Sequence, residues 1–547
     1  MLNTDHFQIQ QLVEVCIAKG IQHAVICPGS RNAPLTIAFN RSSIECITIP
    51  DERVAAFFAL GISLQTKSAT AIICTSGSAV LNFSPAIVEA FYQGIPMLVL
   101  TADRPPEIID QGHGQTIRQS NIYSNYIKAS MDLPQNTKLA EVTKCVVDAI
   151  DISASDKPGP VHINIPLEEP LYGLTKKQVP NVELDEYIEE SIFELSEFKN
   201  RIETYQKVLL IVGQMNDAQL TTNLKKCLAN KNIVVLSEVT SNIEGQTIES
   251  IDSVLSALDK NSAADFAPDL LISMGAAVVS KKVKAYLNKY KPKEHWNVGP
   301  IVGMTDTYDA LTHYLECDES EFAKMLGNIK LEGNYWSMWF NKYHSLMNKT
   351  KHYLNNIEWS DFSVFNQLLQ NIPAKSDVHF GNSTVVRYGN LFELNHKFNN
   401  YCNRGTSGID GVTSTAMGSA YASKNTTTVI TGDIAFLYDS NAFWHNYLAM
   451  LDLKIILINN GGGGIFRIIP GPDQLEELEQ YFDCYSPVDI QKLVEAYGIT
   501  YHSAECEESL QSQLNKLYER KGIQFLEIKT DGAKSAKILR DYFKALL

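Results

Sequence analysis

Short runs of β-branched and aliphatic residues recur along this chain, each closed by Gly, Pro, Asp or Asn and followed by a helical pattern. The clearest case is TTTVITGDIAFLYDSNAFWHNYLAMLDLKIILINNGGGG, from Thr426 to Gly464. Its first run shows no polar alternation, so it predicts a strand buried on both faces from Thr426 to Thr431. Gly432-Asp433 ends that strand, an amphipathic helix is expected to about Leu451, and Lys454 to Ile458 predicts the next buried strand. Two strands joined by a helix in this way lie parallel, with a right-handed crossover. Few architectures satisfy that constraint; all place helices over a parallel sheet.

The same grammar extends along the chain. The first section offers strands at HAVICPG, ECITIP, TAIICTSG, PMLVLTAD and GPVHINIP, with helices such as ERVAAFFALGISLQTK between them. LYGLTKKQVPNVELDEYIEE, after Pro170, is polar and aperiodic and is expected to be a linker. A second section, with strands at KVLLIVGQM, NIVVLSEV and DLLISMGAAVVS, is Rossmann-like but lacks GxGxxG, so nothing marks a dinucleotide site. The aromatic helix EGNYWSMWFNKYHSLM leads to a third section with strands at DVHFGNS, TTTVITGD, KIILINNGGGG and QFLEIKT. The expectation is therefore three parallel-sheet α/β domains, over residues 1–175, 190–345 and 355–547. No internal repeat interrupts this order.

Bulk properties exclude several classes. A formal charge of −15 over 547 residues, with no basic run, argues against nucleic acid as a partner. No stretch is apolar for long enough to insert into a membrane, and the N-terminus has no secretory pattern. Ten cysteines lie scattered with no CxxC pair, which suits reduced thiols and a cytoplasmic protein. Arginine is scarce, at 11 against 36 lysines, yet Arg31, Arg104, Arg118, Arg387, Arg404 and Arg467 all sit in loop-like segments beside Gly, Pro or Asn. A guanidinium fork reads carboxylate or phosphate at two points, so the placement suits small poly-anions, although any one of these arginines alone fits an ordinary ion pair.

Asp433 and Asn460 end two strands of one right-handed unit, so both fall on the carboxyl edge of the sheet, where ligands bind. A carboxylate, an amide oxygen and a glycine carbonyl form an oxygen set suited to Mg²⁺ shared with phosphate. The glycines that follow allow close backbone approach. Singly, each residue is an ordinary turn former. Together, GD followed some two dozen residues later by NN resembles the metal motif of the thiamine-diphosphate enzyme superfamily. That resemblance implies thiamine diphosphate with Mg²⁺, or Mn²⁺ in its place, on Asp433, Asn460 and Gly462, with Ile434, Gly463 and Ile465 beside the cofactor. Ile434 stands where the motif usually has Gly.

Thiamine chemistry also needs a carboxylate against the aminopyrimidine ring. ECITIPDERVAAFF offers Asp51 as N-cap and Glu52 opening a helix, where a glutamate also complements the helix dipole. The resemblance gives Glu52 the activating role. It further implies a pyrimidine-binding first domain, a central Rossmann-like domain and a diphosphate-binding third domain. Active sites would then lie between subunits of a homodimer or homotetramer.

CPGSRNAPLTIA, TSGSAVLNFSPAIVEA, LTADRPPEIIDQGHGQTIRQ, PGPVHINIPLEEPLYG, GNSTVVR and NRGTSGIDG resemble one branch, the 2-succinyl-5-enolpyruvyl-6-hydroxy-3-cyclohexene-1-carboxylate synthase family of menaquinone biosynthesis. The branch joins 2-oxoglutarate to isochorismate with loss of CO₂. The resemblance puts Ser30, Arg31, Arg104, Gln115, Ser383, Arg387 and Arg404 in the substrate pocket, with Gln115 and Ser383 near the reacting atoms. It puts Ile409 under the cofactor, Phe466 and Ile469 on an apolar wall, and Lys281 at the pocket from the middle domain, although Lys281-Lys282 also reads as a solvated helix face. The alternatives are another 2-oxo-acid decarboxylase, an acetolactate-type synthase, or a cofactor-binding scaffold without activity. The first two need fewer pocket arginines, and the scaffold would dispense with Glu52, Asp433 or Asn460.

Overall fold

The computed structural model describes residues 2–547 apart from 156, 184–194, 230, 232, 260, 300–304, 394–397, 424 and 470. The chain forms two compact units, one of Met1–Glu189, Gly405–Lys424 and Tyr438–Leu453, the other of Glu190–Arg404, Asn425–Leu437 and Lys454–Leu547.

In the first unit, β1 (Asn3–Thr4) precedes six strands: β2 (His23–Ile26), β3 (Glu45–Thr48), β4 (Thr70–Cys74), β5 (Met97–Asp103), β6 (Ser130–Asp132) and β7 (Pro160–Pro166). They order as β3-β2-β4-β5-β7-β6, parallel throughout. Strands β4 and β5 are buried at every position, as their unalternating Ile, Leu and Val require. Order reverses between β2 and β4, so the loops after Ile26 and Cys74 flank the crevice where such sheets bind ligands. The expected linker is partly tied down: β8 (Leu174–Thr175) pairs antiparallel with β1, and the Gln10 side-chain amide donates to the Lys177 carbonyl at 3.2 Å. Residues 184–190 of that segment, with the expected domain start at 190, lie outside the described residues.

Helix Glu52–Thr66 packs in the same unit against helix Val412–Ala422. Both carry glycine at the crossing. A Cβ on Gly61 would lie 2.0 Å from the Thr415 carbonyl oxygen, and one on Gly418 1.9 Å from that of Phe58. Only hydrogen at both positions lets the backbones meet.

The second unit holds two parallel sheets. The middle one orders β9 (Val208–Val212), β10 (Val234–Ser237), β11 (Leu270–Met274), β12 (Glu294–Val298) and β13 (Leu311–Leu315) as β10-β9-β11-β12-β13. The last comprises β14 (Asp377–Phe380), β15 (Asn399–Cys402), β16 (Thr427–Gly432), β17 (Leu453–Asn459), β18 (Thr500–Ala504) and β19 (Gln524–Lys529), ordered β15-β14-β16-β17-β19-β18. This repeats the connectivity of the first sheet. Its switch point lies between β14 and β16, bringing the segments after Phe380 and Gly432 to one crevice. The expected class, three parallel-sheet α/β domains, is thus present.

One expected element is corrected. The helix from Asp433 ends at Tyr438, and short 3₁₀ turns Ser440–Phe443 and Leu448–Met450 replace the stretch expected to reach Leu451. Asp439 turns inward instead, fully buried, and accepts from the Ser414 N–H and hydroxyl at 2.8 Å each. Asp, Ser and Asn at 439–441 bring side chains that compete with helical backbone bonds. Tertiary capping of a second helix decides the contest here.

Candidate active site

The carboxyl edge of the last sheet gathers the oxygen set. Asp433, buried, accepts from the Ile434 N–H at 2.8 Å and from the Gly461 and Gly462 N–H groups. Burial raises its pKa to about 6, with the Asp361 charge adding to the rise and the N–H donors opposing it. No ion pair to Asp433 occurs among the described residues, so this carboxylate is a buried anion with no counter-cation.

Asn460 donates its amide NH₂ to the Asp361 carboxylate at 2.8 Å. Asp361 is buried and also accepts from the Thr530 hydroxyl at 2.5 Å and the Ser535 hydroxyl at 3.2 Å. With its NH₂ committed, Asn460 turns its amide oxygen the other way, which is the orientation a metal ligand needs. Sequence reasoning missed Asp361. It lies 99 positions from Asn460 in a helix first turn, and no local pattern connects them.

Gly461 and Gly462 have φ of +86° and +140°, and a Cβ on Gly462 would lie 2.4 Å from the Asp483 carbonyl oxygen. The Gly462 carbonyl accepts from the Gly464 N–H at 2.9 Å, which leaves its second lone pair free. The 3₁₀ turn Gly464–Arg467 follows, with Ile465, Phe466 and Ile469 half-buried and Phe466 edging Phe482 at 5.4 Å between centroids.

The crevice also receives Ser383, which holds φ +70° directly after Asn382 and opens helix Thr384–Gly389. Backbone strain at a non-glycine residue beside a ligand crevice is a mark of a functional position. Arg404 donates to the Asn382 side-chain oxygen at 2.9 Å, while its buried Nε has no hydrogen-bond partner among the described residues. Arg387 donates to the Val279 carbonyl at 3.3 Å. Burial lowers the Arg387 pKa, and the nearby Arg404 charge lowers it further against the pull of Asp252 and Glu238. Lys281 is exposed at the start of helix Lys281–Lys289. Lys282 corrects the solvated-face expectation: its ammonium sits 3.3 Å over the Phe543 ring centroid and bonds Ser256.

The first unit holds the other candidates. Asp51 caps helix Glu52–Thr66, accepting from Val54 N–H at 3.1 Å and from the Asn441 amide at 2.9 Å. Arg53 donates to the Tyr438 carbonyl at 2.6 Å and lies over that ring. Glu52 is half-buried near the buried Cys27 and Cys74 thiols, and burial raises its pKa. Ile409 is 37% exposed, so it is no core residue.

Ser30 and Arg31 follow β2 at the first sheet's switch point. Ser30 shares a 2.9 Å hydrogen bond with the Tyr172 hydroxyl. Buried Arg31 donates to the Leu167 carbonyl at 2.8 Å and to Glu169 at 3.2 Å. The neighbouring Arg104 charge adds to burial in lowering the Arg31 pKa. Among the described residues Arg104 makes no ion pair and its buried Nε has no hydrogen-bond partner. Gln115 is exposed at φ +56° and stacks on Gly77, where a Cβ would lie 3.3 Å from the Gln115 Cα. Buried Gln119, also missed from sequence, holds that loop by accepting from the Gly77 N–H at 3.0 Å. Arg118 and Arg467 are ordinary ion-pair residues, with Asp110 at 2.7 Å and with Asp483 at 2.8 Å through Nε.

Comparison with known proteins identifies what this arrangement belongs to. Residues 9–122 match the N-terminal TPP binding domain of thiamine pyrophosphate enzymes, residues 185–379 their middle domain, and residues 381–528 their C-terminal TPP binding domain. A 2-succinyl-5-enolpyruvyl-6-hydroxy-3-cyclohexene-1-carboxylate synthase of Flavobacterium psychrophilum is 42% identical over 546 residues, covering 98% of both chains. Synthases of the same name from Flavobacterium johnsoniae and Bacteroides thetaiotaomicron are 40% and 35% identical, covering 98% and 99% of each chain. The chain belongs to the 2-succinyl-5-enolpyruvyl-6-hydroxy-3-cyclohexene-1-carboxylate synthase family. It is a thiamine-diphosphate enzyme, and the resemblance carried by the loop motifs is borne out over nearly the whole length. No helix among the described residues is long and apolar enough to cross a membrane.

Proposed function

We propose that this protein joins 2-oxoglutarate to isochorismate with loss of CO₂, as the synthase of menaquinone biosynthesis whose name its relatives carry. The carrying observation is the pair Arg387–Arg404: two mutually repelling guanidiniums beside the strained Ser383, with no ion pair among the described residues. Such a pair is costly unless an anion joins it, and carboxylated substrates supply that anion. At the first sheet's crevice Arg31 and Arg104 also repel one another, although there Glu169 pairs with Arg31 at 3.2 Å. A simple decarboxylase or acetolactate-type synthase gains nothing from either pair.

The donor set fits the cofactor. Asp433, the Asn460 amide oxygen and the Gly462 carbonyl would hold Mg²⁺ or Mn²⁺, and the buried unneutralised carboxylate is suited to a cation. Ile434, Gly463 and Ile465 would flank the diphosphate, and Ile409 would support the ring system. Bound thiamine diphosphate would supply the electron sink that releases CO₂ and the nucleophilic carbon that joins the acceptor. Glu52 holds the proton at the aminopyrimidine, and its burial, which raises its pKa, suits a group that both takes and gives one. The arginines, with Ser30 and Lys281, fix the carboxylates; Gln115 and Ser383 hydrogen-bond near the reacting carbons; Phe466 and Ile469 exclude water.

The division into domains 1–175, 190–345 and 355–547 is supported by the three sheets. A homodimer or homotetramer with shared sites is favoured by the exposure of Leu81, Tyr92, Tyr438, Trp444 and Met450. Ten free cysteines fit the cytoplasm. The test is an omission series with thiamine diphosphate, Mg²⁺, 2-oxoglutarate and isochorismate, with the product identified by mass. Adduct formation only when all four are present is expected. Release of CO₂ with isochorismate untouched would overturn the acceptor assignment.

A further inference from the structure

Another buried carboxylate lies in the same unit, away from the proposed metal-binding set. Glu238 directly follows β10 and is 4% exposed. Its two oxygens accept from consecutive backbone donors, the Val279 N–H at 2.6 Å and the Ser280 N–H at 2.7 Å. Its own N–H is held by the Ser241 hydroxyl at 2.8 Å. Both carboxylate oxygens are thus engaged, which suits an anchor better than a proton carrier.

What Glu238 anchors is informative. Ser280 caps helix Lys281–Lys289, accepting from the Val283 N–H at 3.0 Å. The carbonyl of Val279, one peptide earlier, receives Arg387 at 3.3 Å. The Val279–Ser280 turn is therefore gripped on one side by Glu238 and on the other by a proposed substrate arginine. One helical turn beyond Lys281, half-buried Lys284 feels Glu238 as well as Arg404, Arg387 and Lys281, and burial lowers its pKa. None of these four cations makes an ion pair among the described residues. Glu238 and, at Arg387, Asp252 offset this charge only in part, since four cations face two carboxylates, and a net positive field remains at the crevice.

We propose that Glu238 is a positioning residue that locks the Val279–Ser280 turn and thereby places Arg387 and Lys284 to receive a substrate carboxylate. This rests on the carboligase reading above and deepens it, adding Lys284 to the site and giving the middle sheet a part in substrate binding. Glu238→Gln preserves shape but sets an amide NH₂ against one of the two N–H donors, so the turn shifts. A displacement of about 1 Å at such a contact costs up to roughly a hundredfold.

The test is steady-state kinetics on the full-length enzyme with thiamine diphosphate and Mg²⁺. Glu238→Gln should raise KM for one carboxylated substrate by roughly tenfold or more, with kcat nearly unchanged in a protein that still folds, its thermal midpoint lowered by the lost buried hydrogen bond. Lys284→Met should raise the same KM. The double variant Glu238→Gln/Arg387→Lys should be scarcely worse than Arg387→Lys alone, because both act through one contact. Unchanged KM values, a loss confined to kcat, or fully multiplicative effects would each overturn the proposal. Should Glu238→Gln not fold, Lys284→Met and Glu238→Asp carry the same comparison. A wild-type enzyme that consumes neither substrate would overturn the underlying reading as well, whereas normal wild-type turnover with an indifferent Glu238→Gln would sink only this inference.

Discussion

Asp361 orients Asn460, and that relation can be tested quantitatively. Its carboxylate takes the Asn460 NH₂ at 2.8 Å on one oxygen and the Thr530 and Ser535 hydroxyls on the other. Asp361→Leu keeps the branch at Cγ and removes every acceptor, so Asn460 loses the contact that would keep its oxygen toward the proposed metal site. A hydrogen bond to a charged group is worth roughly 1.5–3 kcal/mol, or about 10–150-fold in an equilibrium constant. Lost support behind a metal ligand typically costs about 10–100-fold in affinity. Asp361→Asn should be far milder. Its amide oxygen can still meet Asn460, the hydroxyls can turn to accept, and the burial that raises the Asp361 pKa no longer opposes a neutral group. The assay is the half-saturating Mg²⁺ concentration at excess thiamine diphosphate, alongside thermal unfolding without metal. A tenfold or greater rise is expected for Asp361→Leu and a rise of a few-fold for Asp361→Asn. Half-saturation unaltered in both would refute the orienting argument, even if Asp361→Leu melted lower.

Other perturbations follow from the same contacts. Gly418→Ala should destabilise the protein by a few kcal/mol in chemical unfolding, although helix propensity alone favours Ala by about 1 kcal/mol, because its methyl would strike the Phe58 carbonyl; a stabilised variant would show that the two helices are not so close. His162 and His445 are buried with pKa values lowered by burial to about 4, and His379 to about 3, so their contribution is complete above the ordinary value near 6.5 and is lost as pH falls toward 4. His379→Gln should flatten the acid side of the stability–pH curve, and an unchanged slope in unfolding titrations would contradict that. Glu319 acts in the opposite sense. Its pKa is raised by burial to about 7, so its contribution is full below about 4.5 and disappears as pH rises through 7; Glu319→Gln should remove that loss. Arg404→Lys should raise KM for a carboxylated substrate by roughly tenfold, from loss of one charged hydrogen bond, with an unmoved KM counting against its pocket role.

The sheets were legible because parallel strands buried on both faces need unbroken Ile, Val and Leu, as at β4, β5 and β17. Short edge strands such as β6, Ser130–Asp132, and β18, Thr500–Ala504, were not, since their half-exposed sequences resemble loops. Asp433 and Asn460 could be brought together from connectivity alone, because strand ends of one crossover share an edge. Asp361, Gln119 and Glu238 could not. Each acts through a contact made across the fold, and a lone acid or amide in a helix turn or strand end carries no local sign of it. The helix that fails at Asp439 belongs to the same class: its periodicity is real, but a cap on Val412–Ala422 outweighs it.

The central claim is that Glu52 activates a thiamine-dependent joining of two carboxylated substrates. Its most direct test is the Glu52→Gln enzyme, assayed for isochorismate loss and for adduct mass with every component present. Near-complete loss of the adduct, with thiamine diphosphate binding and the thermal midpoint retained, is the predicted result. Adduct formation at the wild-type rate would contradict the account.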